Sequence, residues 1–94
     1  MPAAVPEIQH HTARHRFECT VEGRLCVADY RMAGNVMQMT HTGVHSSLEG
    51  RGIAAALVAE ALAHARKHGF KVDPRCSYVR SYMQRHPETL SLQS

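Results

Sequence analysis

The chain is 94 residues long, 44% apolar and 20% charged, and this size and composition predict one small globular domain. Its formal net charge of +3 is modest, its basic residues are scattered and only 5% of its residues are aromatic, so we expect no nucleic-acid partner. The sequence shows neither an apolar run long enough to cross a bilayer nor a secretory signal pattern, so we expect a cytoplasmic protein with no membrane partner.

The first predicted element is a flexible N-terminal arm, residues 1–13, because this stretch carries two prolines and no hydrophobic periodicity. Three runs rich in strand-forming residues follow, separated by the turn-forming pairs Glu22-Gly23 and Gly34-Asn35. They predict a three-stranded antiparallel meander with strands over Arg14–Val21, Arg24–Ala33 and Val36–Val44.

The register of the meander follows if both turns are two-residue loops. One face of the sheet is then almost wholly apolar, with Phe17, Cys19, Cys26, Ala28, Tyr30, Met32, Met37 and Met39. This register places Cys19 opposite Cys26 and His41 opposite Ala28 on the apolar face, and it places Thr42 on the polar face. A slip of one residue in any strand would destroy the sorting, so the pattern supports the register.

A long helix is predicted after the meander. Apolar residues recur every four positions from Ile53 to Ala65, and Gly69 can adopt the left-handed conformation that stops a helix. A short strand, Phe70–Val72, follows at once. Because a helix connects this strand to the meander, we expect it to lie parallel to the third strand.

The end of the chain predicts a second helix over Cys76–His86, which Pro87 terminates. Together these elements predict an α/β (α+β) fold. We place the folded domain at residues 14–88 and a C-terminal tail at residues 89–94.

The segment that precedes the long helix holds the most informative motif, Gly50-Arg51-Gly52. Glycines let the backbone approach a ligand closely, and the free N–H groups at a helix start attract a phosphate or pyrophosphate. Arg51 adds a charge that could pair with phosphate oxygens. Alternatively, the glycines only make a tight turn from strand to helix, and the motif taken alone favours that interpretation.

Four motifs in this order resemble the small stand-alone members of the GNAT superfamily of N-acetyltransferases. They are His41-Thr42 with Val44, Gly50-Arg51-Gly52-Ile53-Ala54, Pro74-x-Cys76-x-x-Val79, and Tyr82 with His86-Pro87. The second motif is similar to the acetyl-CoA loop of the superfamily, Gln/Arg-x-x-Gly-x-Gly/Ala, although Ser47 stands where Gln or Arg is usual. The resemblance spans residues 14–88 and implies a compact GNAT-like fold.

The resemblance implies that acetyl-CoA binds as a substrate between two splayed strands, with its pyrophosphate at the loop before the long helix. The residues implied in binding it are Val44, Gly50, Arg51, Gly52, Ile53, Ala54 and Ser77. A backbone N–H near Gly43 or Val44 would polarise the thioester carbonyl. The acetyl group would pass to a primary amine, held beside the thioester, of a small molecule or a protein.

Three side chains are candidates for catalysis: Cys76, His41 and Tyr82. Cys76 lies at the start of the second helix, where the helix dipole lowers the pKa of a thiol. Its alternative roles are an acyl acceptor, a proton donor to the leaving thiolate, and a small side chain that only packs the helix against the sheet. His41 is a candidate base that would accept the amine proton. Alternatively, His41 is a buried structural histidine and the base is a carboxylate or acts through a water molecule. GNAT enzymes often place a tyrosine acid on this helix, which implies Tyr82, with Tyr78 as the alternative.

The remaining features bear on metals, subunits and competing functions. Three cysteines without CxxC spacing argue against a disulfide scaffold and a zinc knuckle, and we expect no metal. Because so small a core gains stability from a second subunit, a homodimer is a further expectation. Two hypotheses compete with acetyl transfer: a CoA-binding or interaction module with the same fold and no turnover, and an adaptor that binds acidic partners with the polar sheet face.

Overall fold

The computed structural model describes residues 7–94, in which two helices pack on one face of a five-stranded sheet. In chain order the elements are β1 (Gln9–His11), β2 (Arg16–Val21), β3 (Arg24–Ala33), β4 (Val36–Gly43), α1 (Ile53–His68), β5 (Lys71–Pro74) and α2 (Ser77–Arg85). Three short 3₁₀ segments are Thr12–Arg14, Ser46–Leu48 and Pro87–Leu92. The strands follow one another across the sheet, and among the strands of residues 7–94 only β4 and β5 pair in parallel. The predicted α+β class, the meander, the long helix and the parallel strand after it are confirmed.

Strand β1 corrects the prediction of a flexible arm over residues 1–13, because its three residues pair antiparallel with β2. The ring of His10 stacks on Phe17 with a centroid distance of 4.0 Å, and its Nε2 lies 2.5 Å from the hydroxyl of Tyr30. A strand of three residues is too short to show alternation in the sequence, so its tertiary contacts define it. Residues 1–6 of the predicted arm lie outside the described residues.

The C-terminal residues are packed against the domain, so the predicted boundary between residues 88 and 89 is wrong. Leu92 is buried, and the N–H of Ser94 donates to the carbonyl of Val72 at 2.9 Å. Arg66 of α1 donates from Nη2 to the carbonyl of Glu88 at 2.9 Å. Six residues carry too few apolar positions for a periodic pattern to predict this docking.

The sheet face under the helices is apolar, as the register predicts. Cys19 pairs with Cys26, and both are buried free thiols. Helix α1 packs Leu57, Val58 and Leu62 on this face, and burial of each such side chain contributes about 1.5–3 kcal/mol. We call the opposite, uncovered side of the sheet the bare face.

Two glycines in the left-handed region, Gly52 and Gly69, flank helix α1. The φ angles are 80° at Gly52 and 73° at Gly69, and the N–H of Phe70 donates to the carbonyl of Ala65 at 2.8 Å, which closes the helix end. Among residues 7–94, no helix combines the length and the apolar character needed to span a membrane.

A β-bulge in β4 changes the predicted register beyond Met39. Asp29 pairs with His41 and Tyr30 with Met39, so Thr40 is an extra residue that has no place in the register with β3. An extra residue exchanges the two faces of the strand that follows it. His41 is therefore exposed on the bare face and Thr42 faces the helices, whereas the prediction placed these two side chains the other way round.

Candidate functional site

The candidate site lies where β4 and β5 separate. The two strands pair only as far as Met39 and Pro74, and the N–H of Cys76 donates to the carbonyl of Met39 at 2.9 Å just beyond. Strand β4 then continues to Gly43 paired with β3 alone, while the other chain segment turns into α2. A gap therefore opens in the sheet beside residues 40–43.

A cleft of about 500 Å³ occupies the helix side of this gap, a volume in the range of small-molecule sites. The end of β4, the loop that follows it and the starts of both helices line the cleft. Five of the predicted binding residues are in this lining: Val44, Gly50, Gly52, Ile53 and Ala54. The lining residues that sequence reasoning missed are Thr42, Leu48, Glu49 and Ala55.

The first turn of α1 presents backbone donors to the cleft. The N–H of Ala56 makes the bond that opens the helix ladder, to the carbonyl of Gly52 at 3.0 Å, so the N–H groups of Ile53, Ala54 and Ala55 precede that ladder. Gly52 has no side chain to cap them, and the first turn holds no acidic residue. Three such donors at the positive end of a helix dipole suit a phosphate or a diphosphate.

The backbone around Arg51 is open, but the side chain of Arg51 points elsewhere. Gly50 and Gly52 have φ angles of 82° and 80°, and nothing lies within 4 Å of the position that a Cβ would take on either glycine. The guanidinium of Arg51 pairs with the carboxylate of Glu22 in the turn between β2 and β3. Ser77 is exposed at the start of α2. Neither Arg51 nor Ser77 lines the cleft, so the binding roles predicted for these two residues stay predictions.

Cys76 occupies the N-cap position of α2, next to the cleft. Its sulfur lies 3.6 Å from the hydroxyl oxygen of Thr42, which lines the cleft. Burial raises the pKa of the Cys76 thiol, but hydrogen bonding from Thr42 and from the backbone N–H groups of Val79 and Tyr78 outweighs burial, so the pKa lies below its ordinary value. Such a thiol has an increased thiolate fraction at neutral pH.

The structure separates the two candidate tyrosines. Tyr78 lines the cleft. Tyr82, one turn later, is buried against His86 with a ring centroid distance of 4.0 Å, and it borders a different cavity beside Leu62 of α1. Burial raises the pKa of Tyr82. The structure therefore places Tyr78 at the cleft and the selected Tyr82 away from it, because only packing, not spacing, distinguishes two tyrosines one turn apart.

His41 borders the gap from the bare face. Its Nε2 lies 3.0 Å from the position that a Cβ on Gly43 would occupy, so the imidazole lies over that glycine. Its cross-strand neighbour is Asp29, whose Oδ1 pairs with Nε of Arg16 at 2.7 Å. The exposure of His41 excludes the buried structural histidine among the alternatives.

Residues 16–92 match the family model of the GCN5-related N-acetyl-transferases. The chain belongs to this family. The same fold occurs in a GCN5-like protein of Staphylococcus aureus solved by NMR in solution, with a TM-score of 0.74, 23% sequence identity and coverage of 94% of this chain and 87% of that chain. In this GCN5-related N-acetyltransferase family member, the match includes the whole cleft and Cys76, while β1 precedes it. Residues 7–94 contain no group of three or more His, Cys, Asp or Glu side chains able to hold a metal ion.

Proposed function

We propose that the protein is an acetyl-CoA-dependent N-acetyltransferase that acetylates a primary amine of a small molecule or a protein. The proposal depends on one observation at the start of α1: free N–H groups, and two glycines with left-handed φ angles, line a cleft of about 500 Å³. Membership of the GCN5-related N-acetyltransferase family supports acetyl transfer as the general activity. Three free cysteines fit the reducing cytoplasm.

The donors of α1 would hold the diphosphate of acetyl-CoA. The N–H groups of Ile53, Ala54 and Ala55 supply directed hydrogen bonds, and the first turn holds no acidic residue. The acidic residue that lines the cleft, Glu49, belongs to the preceding loop. From there the pantetheine arm would extend past Val44 to Thr42, both of which line the cleft. The thioester would then lie at the gap, next to Cys76.

The acceptor amine would approach through the gap from the bare face. A backbone N–H near Val44 would polarise the thioester carbonyl, and such a donor contributes about 3 kcal/mol to acyl transfer. The amine nitrogen would bond to the carbonyl carbon and lose a proton to His41, whose imidazole lies on that side of β4. The carbon–sulfur bond would break, and the CoA thiolate would take a proton from Tyr78.

The lowered pKa of Cys76 favours a second route that passes through its thiol. The Cys76 thiolate would attack the thioester carbonyl, and CoA would leave as a thiolate that takes up a proton. The amine would then attack the acetyl-cysteine, lose its proton to His41 and release the Cys76 thiolate. Acetyl-CoA added without an amine should then increase the mass of the Cys76 peptide by one acetyl group. An unmodified Cys76 under these conditions would leave direct attack by the amine as the only route.

A binding experiment tests the diphosphate site. We expect the backbone NMR signals of Gly50 to Ala55 to shift on titration with CoA. Ala54→Pro removes one donor in a helix turn that tolerates proline, so it should weaken CoA binding by roughly tenfold or more, the effect of a lost charge-assisted hydrogen bond. Ala54→Ser keeps the N–H and is the matched control. Unchanged signals in the loop, or equal binding by both variants, would contradict the proposal.

A turnover experiment separates an enzyme from a binding module. Acetyl-CoA and a panel of primary amines should release free CoA thiol in a protein-dependent manner. Cys76→Ala should abolish release if the acetyl group passes through the thiol, and reduce it only slightly if the amine attacks directly. CoA binding without thiol release for any amine or lysine peptide would assign the protein to the non-catalytic modules of this fold.

A further inference from the structure

We propose that Thr42 is the positioning residue for the Cys76 thiol: its hydroxyl donates a hydrogen bond to Sγ, holds the sulfur at the end of the cleft and stabilises the thiolate. This inference deepens the proposed function and rests on it for its role in acetyl transfer. The chemistry of the pair can be measured without acetyl-CoA.

The placement of Thr42 follows from the bulge at Thr40. The extra residue turns Thr42 toward the helices, where its Oγ1 lies 3.6 Å from Sγ of Cys76. The two residues belong to opposite sides of the gap, Thr42 to β4 and Cys76 to the start of α2. The contact therefore spans the point where the sheet opens.

A hydroxyl can stabilise a thiolate because it has one proton to donate, whereas a thiolate only accepts. Hydrogen bonds to a charged acceptor are stronger than those to a neutral one, so the contact favours the ionised form of Cys76. The pKa of Cys76 lies below its ordinary value although burial raises it, and the Thr42 side chain is the largest of the opposing influences.

The charged side chains near Cys76 are directed to other partners. Arg75 donates from Nε to Oδ2 of Asp73 at 2.8 Å. Arg80 donates from Nη1 to the carbonyls of Pro74 and Arg75 at 3.1 and 3.2 Å. Tyr78, the other titratable neighbour on α2, lines the cleft. Thr42 is thus the side chain from β4 that contacts the sulfur. Backbone hydrogen bonds from Val79, Tyr78 and Thr42 itself supply the smaller influences that also lower the pKa of Cys76.

The test is the pH dependence of thiol alkylation by iodoacetamide, followed by mass spectrometry on the Cys76 peptide. Thr42→Val keeps the shape and removes the donor, so we expect the midpoint of the profile to rise by about one pH unit. At pH values below both midpoints, the variant should hold about tenfold less thiolate than the unsubstituted protein, but each thiolate should be about threefold more nucleophilic. The alkylation rate of Thr42→Val should therefore be roughly three- to fourfold lower. Thr42→Ser should restore the profile. Thr40→Val is the control, because Thr40 is exposed on the same strand and its hydroxyl contacts the carbonyl of Asp29 at 3.4 Å.

Each result decides the proposal. An unchanged midpoint in Thr42→Val, or a midpoint that Thr42→Ser fails to restore, overturns it, because a merely structural threonine would not govern the ionisation of the thiol. Should Thr42→Val fold poorly, the comparison of Thr42→Ser with Thr42→Ala decides, since only the serine keeps a donor. A midpoint that depends on Thr42 in a protein that does not bind CoA would support the hydrogen bond and refute the proposed function, so the two failures are distinguishable.

Discussion

Replacement of Gly43 by alanine tests whether His41 accepts the proton of the amine. The added Cβ would lie 3.0 Å from Nε2 of His41 and 3.3 Å from Cγ2 of Val27, nearer than the ordinary contact range of 3.4–4 Å. Gly43 has no left-handed φ, so its backbone accepts alanine without strain. The exposed imidazole is the group that can move, by a few tenths of an ångström. We therefore expect the free energy of unfolding to change by less than about 1 kcal/mol.

The substitution should lower the rate while the protein stays folded. A positioned base contributes about 10²- to 10⁴-fold, so its displacement in Gly43→Ala should lower kcat for an amine roughly tenfold or more. KM for acetyl-CoA should stay the same, because the cleft lies on the other side of β4. Steady-state measurement of CoA release checks both values.

The control is a double-mutant cycle with His41→Gln. If the alanine acts through the imidazole, Gly43→Ala should cause no further loss in the His41→Gln background. An equal loss in both backgrounds would show that the methyl group disturbs the backbone of β4 instead. A fully active Gly43→Ala enzyme with a displaced ring would remove His41 from the mechanism.

Three further predictions concern pH, the glycine loop and the tyrosines. Burial and neighbouring histidines lower the pKa of His10 and His64. Below pH 6.5 the unfolded chain therefore binds more protons than the folded protein, so the free energy of unfolding should decrease as the pH is lowered. The decrease is at most about 1.4 kcal/mol per pH unit for each histidine, and solvent screening reduces it further. Urea denaturation at pH 7.5 and 5.5 checks this, and a slope unchanged in His64→Gln would contradict it. Gly52→Ala should lower the free energy of unfolding by about 1–2 kcal/mol in the same assay, because the φ angle of Gly52 is 80°. Gly52→Asn should lower it by less, since asparagine tolerates this conformation, and equal losses for the two variants would refute the backbone explanation. Tyr78→Phe should lower kcat whereas Tyr82→Phe should not, and the reverse result would restore Tyr82 as the acid.

The pairing of Cys19 with Cys26 could be predicted because two constraints agreed. The Glu22-Gly23 turn fixed the loop length, and the apolar alternation on both strands admitted a single register. The bulge could not be predicted in the same way, because an extra residue at an exposed position leaves the apolar pattern up to Met39 intact. One sign of the bulge was present in the sequence, since the regular register placed His41 on a face that is otherwise apolar.

The choice between Tyr78 and Tyr82 shows a second limit of sequence reasoning. Residues four apart lie one above the other on a helix, so both tyrosines share the inward side. Distance from the gap decides which of them lines the cleft: Tyr78 is in the first turn of α2, and Tyr82 packs toward α1 and the C-terminal residues. That distance depends on how α2 docks, which no local pattern encodes. The docking of β1 and of residues 89–94 was missed for the same reason.

The bulge at Thr40 allows one strand to serve both sides of the proposed reaction. In a regular strand the side chain two positions after Met39 would share its face, and His41 would then point to the helix side of the gap, toward Cys76. The extra residue gives that position to Thr42, whose small hydroxyl leaves the cleft open to a thioester and contacts the sulfur. It also keeps the imidazole in solvent, where a base can pass its proton to water after each turnover. In the proposed mechanism the acetyl donor and the proton acceptor therefore lie on opposite sides of β4, and the amine reaches the carbonyl only through the gap.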